Sequence, residues 1–365
     1  MELSVNLGAR SYPIVLGRLG QLGVRLARER APGRCVLVSN EVVAPLYAQT
    51  ALASLEGAGF EPTLVQIPDG EANKTLATWQ GLVARLLELG VDRQTTLVSL
   101  GGGVTGDIVG FAASSTLRGL SFVQVPTTLL AMVDASVGGK TGVNTPQGKN
   151  LVGAFYQPIL VLAAMDTLAT LSPEEFRCGL GEVLKHAVLE GPDFFEWLAC
   201  NAQAVLAQEP GVLEQAIARC CAYKAEIVAQ DEREGGIRAL LNCGHTLGHA
   251  LERELGFGSL RHGEAVAIGI IGEAAICVAR GHAPTAWLEA LRTLTMALGL
   301  PIQAPGHLRV SAIVQSTRHD KKRAHGILTA ALPAGPGRVT LSAVTPAELS
   351  VAAQAILPPE AECPS

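Results

Sequence analysis

Apolar positions follow two regimes along the chain. Short apolar, β-branched runs occupy 36–39, 63–67, 96–100 and 122–125, bounded by polar or glycine-rich positions. Such runs predict strands buried on both faces, as in a parallel sheet. Amphipathic stretches such as 75–89 lie between them, so the first part of the chain reads as an α/β domain. From Ser172 onward the pattern lengthens to helical period, predicting helices over 173–189, 192–206, 212–231, 262–280 and 285–298 with few convincing strands. Ser172-Pro-Glu-Glu supplies a helix start: a capping Ser, Pro in the first turn and two acids facing the positive end of the helix. The predicted division is an α/β domain over 1–168, Rossmann-like with a parallel sheet, and an all-α domain over 169–365.

The chain has 365 residues and is 48% hydrophobic, ample for two cores. Its formal charge is −5 and no dense Lys/Arg run occurs, so nothing electrostatic points to nucleic acid or an anionic membrane. The longest apolar stretch, 265–279, is interrupted by Glu273 and reads as too short to span a bilayer. No signal peptide is visible at the N-terminus, and eight scattered cysteines without a Cys-x-x-Cys pair suit a reduced, cytoplasmic protein.

Two glycine-rich segments change the picture. Gly101-Gly-Gly-Val-Thr-Gly106-Asp107 follows a predicted strand and opens a helix, matching G-x-G-x-x-G. Glycines there admit a pyrophosphate close to backbone at a helix N-terminus. The match departs from the usual fingerprint, because two strands precede it and no acid about 20 residues on is placed to hold a ribose. A tight packing turn is the plain alternative. Asp69-Gly-Glu-Ala-Asn-Lys74 and Asn40-Glu41 are further turns after strands that could meet a nucleotide. The stretch 126–153 sets Lys140, Lys149, Asn144 and Asn150 among glycines, a composition that buries little apolar surface and suits a phosphate-bearing ligand. Gly138-Gly-Lys140-Thr141 is not a P-loop, since Asp134 stands where the first glycine is required.

Three of the eight histidines fall within 245–262. His245 and His249 share a helix face and resemble the ligand pair of H-E-x-x-H, but Thr246 replaces the catalytic Glu, so a peptidase is unsupported. A catalytic divalent site takes three protein ligands and leaves one position open. Candidates beside the histidines are Glu264 and Glu182, the latter three residues from Lys185. A small residue packed in a turn accounts for Cys243 as well as a ligand role does.

The motifs Gly101–Asp107, 125–144, 148–158, 181–186, 241–252, 262–269 and Asp320-Lys321-Lys322 together resemble the 3-dehydroquinate synthase family, in order and across nearly the whole chain. The resemblance implies a dimeric shikimate-pathway enzyme with bound NAD and one Zn²⁺ or Co²⁺, its active site in a cleft between the domains. The implied reaction turns 3-deoxy-D-arabino-heptulosonate 7-phosphate into 3-dehydroquinate and phosphate, by transient oxidation, β-elimination, re-reduction and aldol closure. By motif, Glu182, His245 and His262 correspond to metal ligands. Lys140, Asn150, Lys185, His249 and one of Lys321 and Lys322 correspond to residues handling substrate and phosphate. Arg238, Lys224 and Asn242 lie at positions near the substrate carboxylate and hydroxyls, and Arg118 at one that reaches the neighbouring subunit. Asp134 and Lys149 fall between NAD and substrate. Asn40 and the segments Asp69, Gly70, Glu71 and Lys74; Gly102, Gly103, Val104, Thr105, Gly106 and Asp107; Thr127 and Thr128; and Thr167, Leu168, Ala169 and Thr170 correspond to NAD contacts, with Lys140 beside them. The chain departs from the family at Ser115–Leu117, where an aromatic is common before Arg118, and at His319 and His325, which flank the lysine pair. Other readings are a different sugar phosphate cyclase or a metal-dependent NAD polyol dehydrogenase.

Overall fold

The computed structural model describes residues 1–256, 259–306, 308–317, 323–324 and 327–358. Two compact units divide the chain: Met1–Ser172 with Cys221–Arg233, and Pro173–Cys220 with Glu234–Ser365. The first cut lies four residues beyond the one expected at 168/169, and the return of 221–233 to the first unit is a division that no single cut describes.

The first unit runs β1 (Glu2–Val5), β2 (Tyr12–Gly17), α1 (Leu22–Glu29), β3 (Arg34–Asn40), α2 (Ala44–Gly57), β4 (Glu61–Ile67), α3 (Leu76–Glu88), β5 (Thr96–Gly101), α4 (Gly103–Ser115), β6 (Ser121–Pro126), β7 (Lys140–Thr145), β8 (Gly148–Phe155) and β9 (Leu160–Ala164). Seven strands form one sheet in the order β1-β2-β9-β6-β5-β3-β4, parallel except for β1 at the edge. The runs read from the sequence form β3, β5 and β6 in its centre, and β4 at its edge, where Thr63, Leu64 and Gln66 are exposed, which corrects the expected burial of 63–67 on both faces. Their alternate residues serve two cores. Leu37, Val98, Leu100 and Val123 join one with Leu22 and Leu55, and Val36, Val38, Leu97 and Phe122 join the other with Leu82 and Ile108. Burial on both faces explains why β3, β5 and β6 carry no polar alternation.

The stretch 126–153 is folded rather than a polar loop. Leu129, Ala131, Met132, Val133, Val137 and Val143 are buried, which corrects the expectation that it buries little apolar surface. A wide helical turn over Ala131–Ala135 leads into the antiparallel hairpin β7–β8.

The second unit carries α5 (Pro173–Glu190), α6 (Pro192–Leu206) and the first part of α7 (Pro210–Gln230), whose last turns belong to the first unit. It continues with α8 (His245–Leu255), α9 (His262–Ala279), α10 (Thr285–Ala297), α11 (Val310–Ser316), β10 (Arg323–Ala324), β11 (Ile327–Pro333), β12 (Val339–Val344) and α12 (Pro346–Ile356). The unit is mainly helical, but β10, β11 and β12 form a three-stranded antiparallel sheet, so it is not all-α. α9 is 18 residues long and apolar enough to cross a membrane by length and composition, contrary to the sequence reading; 78% of it is buried, as befits a core helix.

α9 meets its neighbours at glycines. A Cβ on Gly181 of α5 would lie 2.7 Å from the Gly263 Cα and closer still to its carbonyl oxygen. One on Gly263 would lie 2.7 Å from the Cys178 carbonyl carbon, and one on Gly269 2.9 Å from that of Gly244. Gly244, at φ 81°, also starts α8 in a left-handed conformation that other residues adopt at a cost. These close approaches bring Glu182, His245 and His262 together.

Candidate active site in two parts

In the first unit the turns after β3, β4, β5, β6 and β9 lie at the carboxyl ends of parallel strands, on one edge of the sheet. β4 pairs on one side of β3 and β5 on the other, so the strand order reverses at β3. Ligands of open α/β sheets bind at such a switch point. The expected nucleotide residues gather there. Asn40, 4% exposed at the end of β3, donates from Nδ2 to Asp69 Oδ1 at 2.6 Å and lies 3.4 Å from Thr105 Oγ1. Thr127 and Thr128 follow β6, and Thr167 to Thr170 follow β9 in a short helical turn held by Tyr47. Leu168 is buried there, so a ligand would meet its backbone rather than its side chain.

No side chain caps α4, whose N-cap is Gly102. A Cβ on Gly102 would stand 3.3 Å from Thr128 and one on Gly103 3.2 Å from Ala135, so the bare backbone is what fits. Gly106 serves packing, because a Cβ there would meet Gln124 Oε1 at 2.6 Å. An uncapped helix N-terminus in glycine backbone fits a pyrophosphate. Lys74 is 4% exposed and donates to Asp107 Oδ2 at 2.5 Å and Asn150 Oδ1 at 2.6 Å. Burial opposes its charge, but Asp107 and Glu71 outweigh burial and raise its pKa. Asn150 reaches this pair from a left-handed backbone at φ 53°. Lys224 donates to Asp134, 2.6 Å from its carbonyl and 2.8 Å from Oδ1. Lys140 opens β7 and is exposed, Lys149 is half-buried on β8, and Arg118 is exposed in a left-handed backbone at φ 66°.

The second unit assembles the metal candidates. One donor atom each from Glu182, His245 and His262 lies within 4.8 Å of the others. Glu182 Oε1 is 3.7 Å from His245 Nε2 and 3.5 Å from His262 Nε2. Its other oxygen pairs with Lys185, itself 1% exposed. Two imidazoles and a carboxylate are the donor set of an open divalent site, so these residues fit an ion. His245 Nδ1 faces the Cys243 carbonyl at 3.2 Å, which leaves Nε2 for a ligand. Burial and the Lys185 charge hold His245 well below its usual pKa, favouring the neutral form that coordinates. Burial also opposes charge on His262, but Glu182 and Glu252 overcome it and lift its pKa to about 10. A cation is favoured at that spot whether it is a proton or a metal.

Glu264 is not part of the group. It accepts from the Arg261 N–H at 3.0 Å and caps α9. The Cys243 thiol is not in the donor set either; the residue contributes its carbonyl. His249 is exposed and forms a second donor group with Glu252 and His262. Arg238 is 1% exposed, and Asn242 donates to Glu234 Oε1 at 2.8 Å. Lys321 and Lys322, with His319 and His325, lie outside the described residues. Two supporting carboxylates were missed in the sequence. Glu252 stands 3.5 Å from His262 Nδ1, and Glu273, 1% exposed, accepts from the Gly244 N–H at 2.5 Å, holding the turn before His245. Glu273 had a signal, being the lone acid in the apolar stretch 265–279; Glu252 had one too, three residues past His249 on the same face.

Solved sugar phosphate cyclases share this plan of a parallel-sheet unit and a mainly helical unit. The solved structure of 2-deoxy-scyllo-inosose synthase complexed with carbaglucose-6-phosphate, NAD⁺ and Co²⁺ matches with TM-score 0.89 and 27% identity, covering 97% of this chain and 99% of that one. ValA, the 2-epi-5-epi-valiolone synthase of Streptomyces hygroscopicus subsp. jinggangensis with NAD⁺ and Zn²⁺ bound, matches with TM-score 0.87 and 29% identity, covering 96% and 98%. Residues 64–178 match the family described as 3-dehydroquinate synthase N-terminal, and 179–323 its C-terminal counterpart. The 3-dehydroquinate synthase of Colwellia psychrerythraea is 46% identical over 338 residues, 92% of this chain and 95% of that protein. The chain belongs to the 3-dehydroquinate synthase family.

Proposed function

We propose that this chain is a 3-dehydroquinate synthase of the shikimate pathway, forming 3-dehydroquinate and phosphate from 3-deoxy-D-arabino-heptulosonate 7-phosphate. The observation that carries the reading is the donor set Glu182, His245 and His262 with Lys185 at its edge, in a chain of this family. When bound, NAD supplies a hydride acceptor that is restored within the cycle, and a Zn²⁺ or Co²⁺ ion supplies Lewis acidity at the substrate hydroxyls. Glu182, His245 and His262 would hold the ion. Asn40, Asp69 to Lys74, Gly102 to Asp107, Thr127, Thr128 and Thr167 to Thr170 would hold NAD, with the pyrophosphate on the α4 N-terminus.

The chain's own side chains handle the rest. A substrate with a phosphate and a carboxylate requires several cations. Lys140, Asn150 and one of Lys321 and Lys322 take the phosphate; Arg238, Lys224 and Asn242 take the carboxylate and hydroxyls. Lys185 presents its ammonium beside Glu182 to a substrate hydroxyl. His249 is exposed on the histidine face of α8, where an imidazole can move a proton near neutral pH as phosphate departs. Asp134 and Lys149 line the approach between cofactor and substrate. The reading includes a cytoplasmic homodimer in which Arg118 reaches the neighbouring site. The exposed Leu151, 47%, and Phe155, 42%, on one face of β8 support a protein contact there.

The test is incubation of the purified protein, with NAD and Co²⁺ or Zn²⁺, with the seven-carbon phosphate. Phosphate release equal to product, with no net NADH, supports the reading. Release from another sugar phosphate alone would make it a different cyclase, and NADH accumulating with product would make it a polyol dehydrogenase.

A further inference from the structure

We propose that Glu252 is a positioning residue of the metal centre, orienting His262 through Nδ1 so that Nε2 faces Glu182. The inference rests on Glu182, His245 and His262 being that centre.

His245, His249 and Glu252 are spaced four and three residues apart, on one face of α8. Glu252 is 7% exposed, and a carboxylate so buried is retained where a partner offsets its lost hydration. Its Oε1 lies 3.5 Å from Nδ1 of His262, while Nε2 of the same ring lies 3.5 Å from Glu182 Oε1. His245 follows the same plan, with the Cys243 carbonyl 3.2 Å from Nδ1 and Glu182 Oε1 3.7 Å from Nε2. Both rings thus present Nε2 to one carboxylate oxygen and Nδ1 to an oxygen acceptor. An acceptor at Nδ1 fixes the tautomer, locks the ring angle and makes Nε2 a better donor. His262 needs this help most, because it opens α9 and its side chain is 34% exposed, against 11% for His245. The competing role for Glu252 is direct ligation, since His249, Glu252 and His262 also place donors within 4.8 Å of one another.

The experiment compares the full-length wild type with E252Q, E252D and H262A. It measures ions per chain by elemental analysis, Zn²⁺ affinity by chelator competition, the visible bands of the Co²⁺ form, and thermal midpoints without metal. The expected result is one ion per chain in wild type and E252Q, with affinity about 10- to 100-fold weaker in E252Q. E252D recovers part of that loss, the Co²⁺ bands of E252Q shift, and its metal-free midpoint stays near wild type. Wild-type affinity in folded E252Q, or in E252D where the Gln variant does not fold, overturns the proposal. So do two ions in wild type with one lost in E252Q, which would make Glu252 a ligand. A wild type that holds no ion, or H262A that holds it at full affinity, removes the centre itself and is recognised without the Glu252 variants.

Discussion

Gly181→Ala tests whether close helix packing builds the metal centre. The new methyl would point at α9, 2.7 Å from the Gly263 Cα and closer to its carbonyl oxygen, whereas ordinary contact begins at 3.4 Å. The obstacle is backbone, so no rotamer relieves it, and α5 and α9 must separate by at least about 0.7 Å. Overpacking of this kind costs about 1–3 kcal/mol, against about 1 kcal/mol gained from the better helix propensity of Ala. A net loss of up to about 2 kcal/mol is expected in urea unfolding of the metal-free protein. The same separation carries Glu182, next to the substitution, away from His262, next to Gly263. Their donors stand 3.5 Å apart, so an opening of this size spoils a shared ion, and metal affinity should fall by at least tenfold. Gly211→Ala, in a helix with nothing within 4 Å of the new Cβ, is the control and should leave metal affinity unchanged. Wild-type stability and metal affinity in Gly181→Ala would refute the reasoning.

Glu182→Ala and His262→Ala should each abolish metal retention by elemental analysis, while His249→Ala keeps the ion and slows phosphate release; loss of metal in the last variant would make His249 a ligand. Lys74→Met strands the largely buried Asp107 and should cost about 2 kcal/mol, most of it restored in the Lys74→Met/Asp107→Asn double variant; additive losses in the double-mutant cycle would contradict the pairing. Arg280 and the Thr345 N–H hold Glu348 down to about 2 from 4.5, so its contribution is full above pH 4.5 and fades as pH falls toward 2. Glu348→Gln keeps an acceptor for the α12 cap but loses the ion pair. It should be less stable than wild type by about 1 kcal/mol at pH 7, with the gap closing between pH 4.5 and pH 2, and a gap independent of pH would argue against the pair.

The buried strands were legible because burial on both faces leaves a run of apolar residues, as at Val36 to Val38 and Leu97 to Val98. The long helices were legible from their period: 192–206 and 173–189 match α6 and α5 to within a residue. What escaped lacks such a run or such a period. β1 is a four-residue edge strand, β7 and β8 are rich in Gly, Asn and Lys, and β12 buries only Val344. Sequence position gave no sign that Cys221–Arg233 packs with the first unit, because α7 is continuous across the division.

The site divides along the same line. His245 and His249 announce themselves by spacing, yet the structure does not make them equivalent. His245 is the one whose Nε2 faces Glu182, and His249 lies farther round, exposed. Glu182 could be chosen over Glu264 only through the family motif, since it sits 63 residues before His245 on a different helix. What joins them is Gly181 against Gly263 and Gly244 against Gly269, contacts with no side chain for a hydropathy pattern to register. Glycine in a helix interior costs about 1 kcal/mol relative to Ala. Gly181 and Gly269 lie in the interiors of α5 and α9, so the helices give up intrinsic stability where their backbones must touch. That cost is intelligible if three donors from three helices must converge within 4.8 Å, because ordinary side-chain packing holds helix axes about 8–10 Å apart.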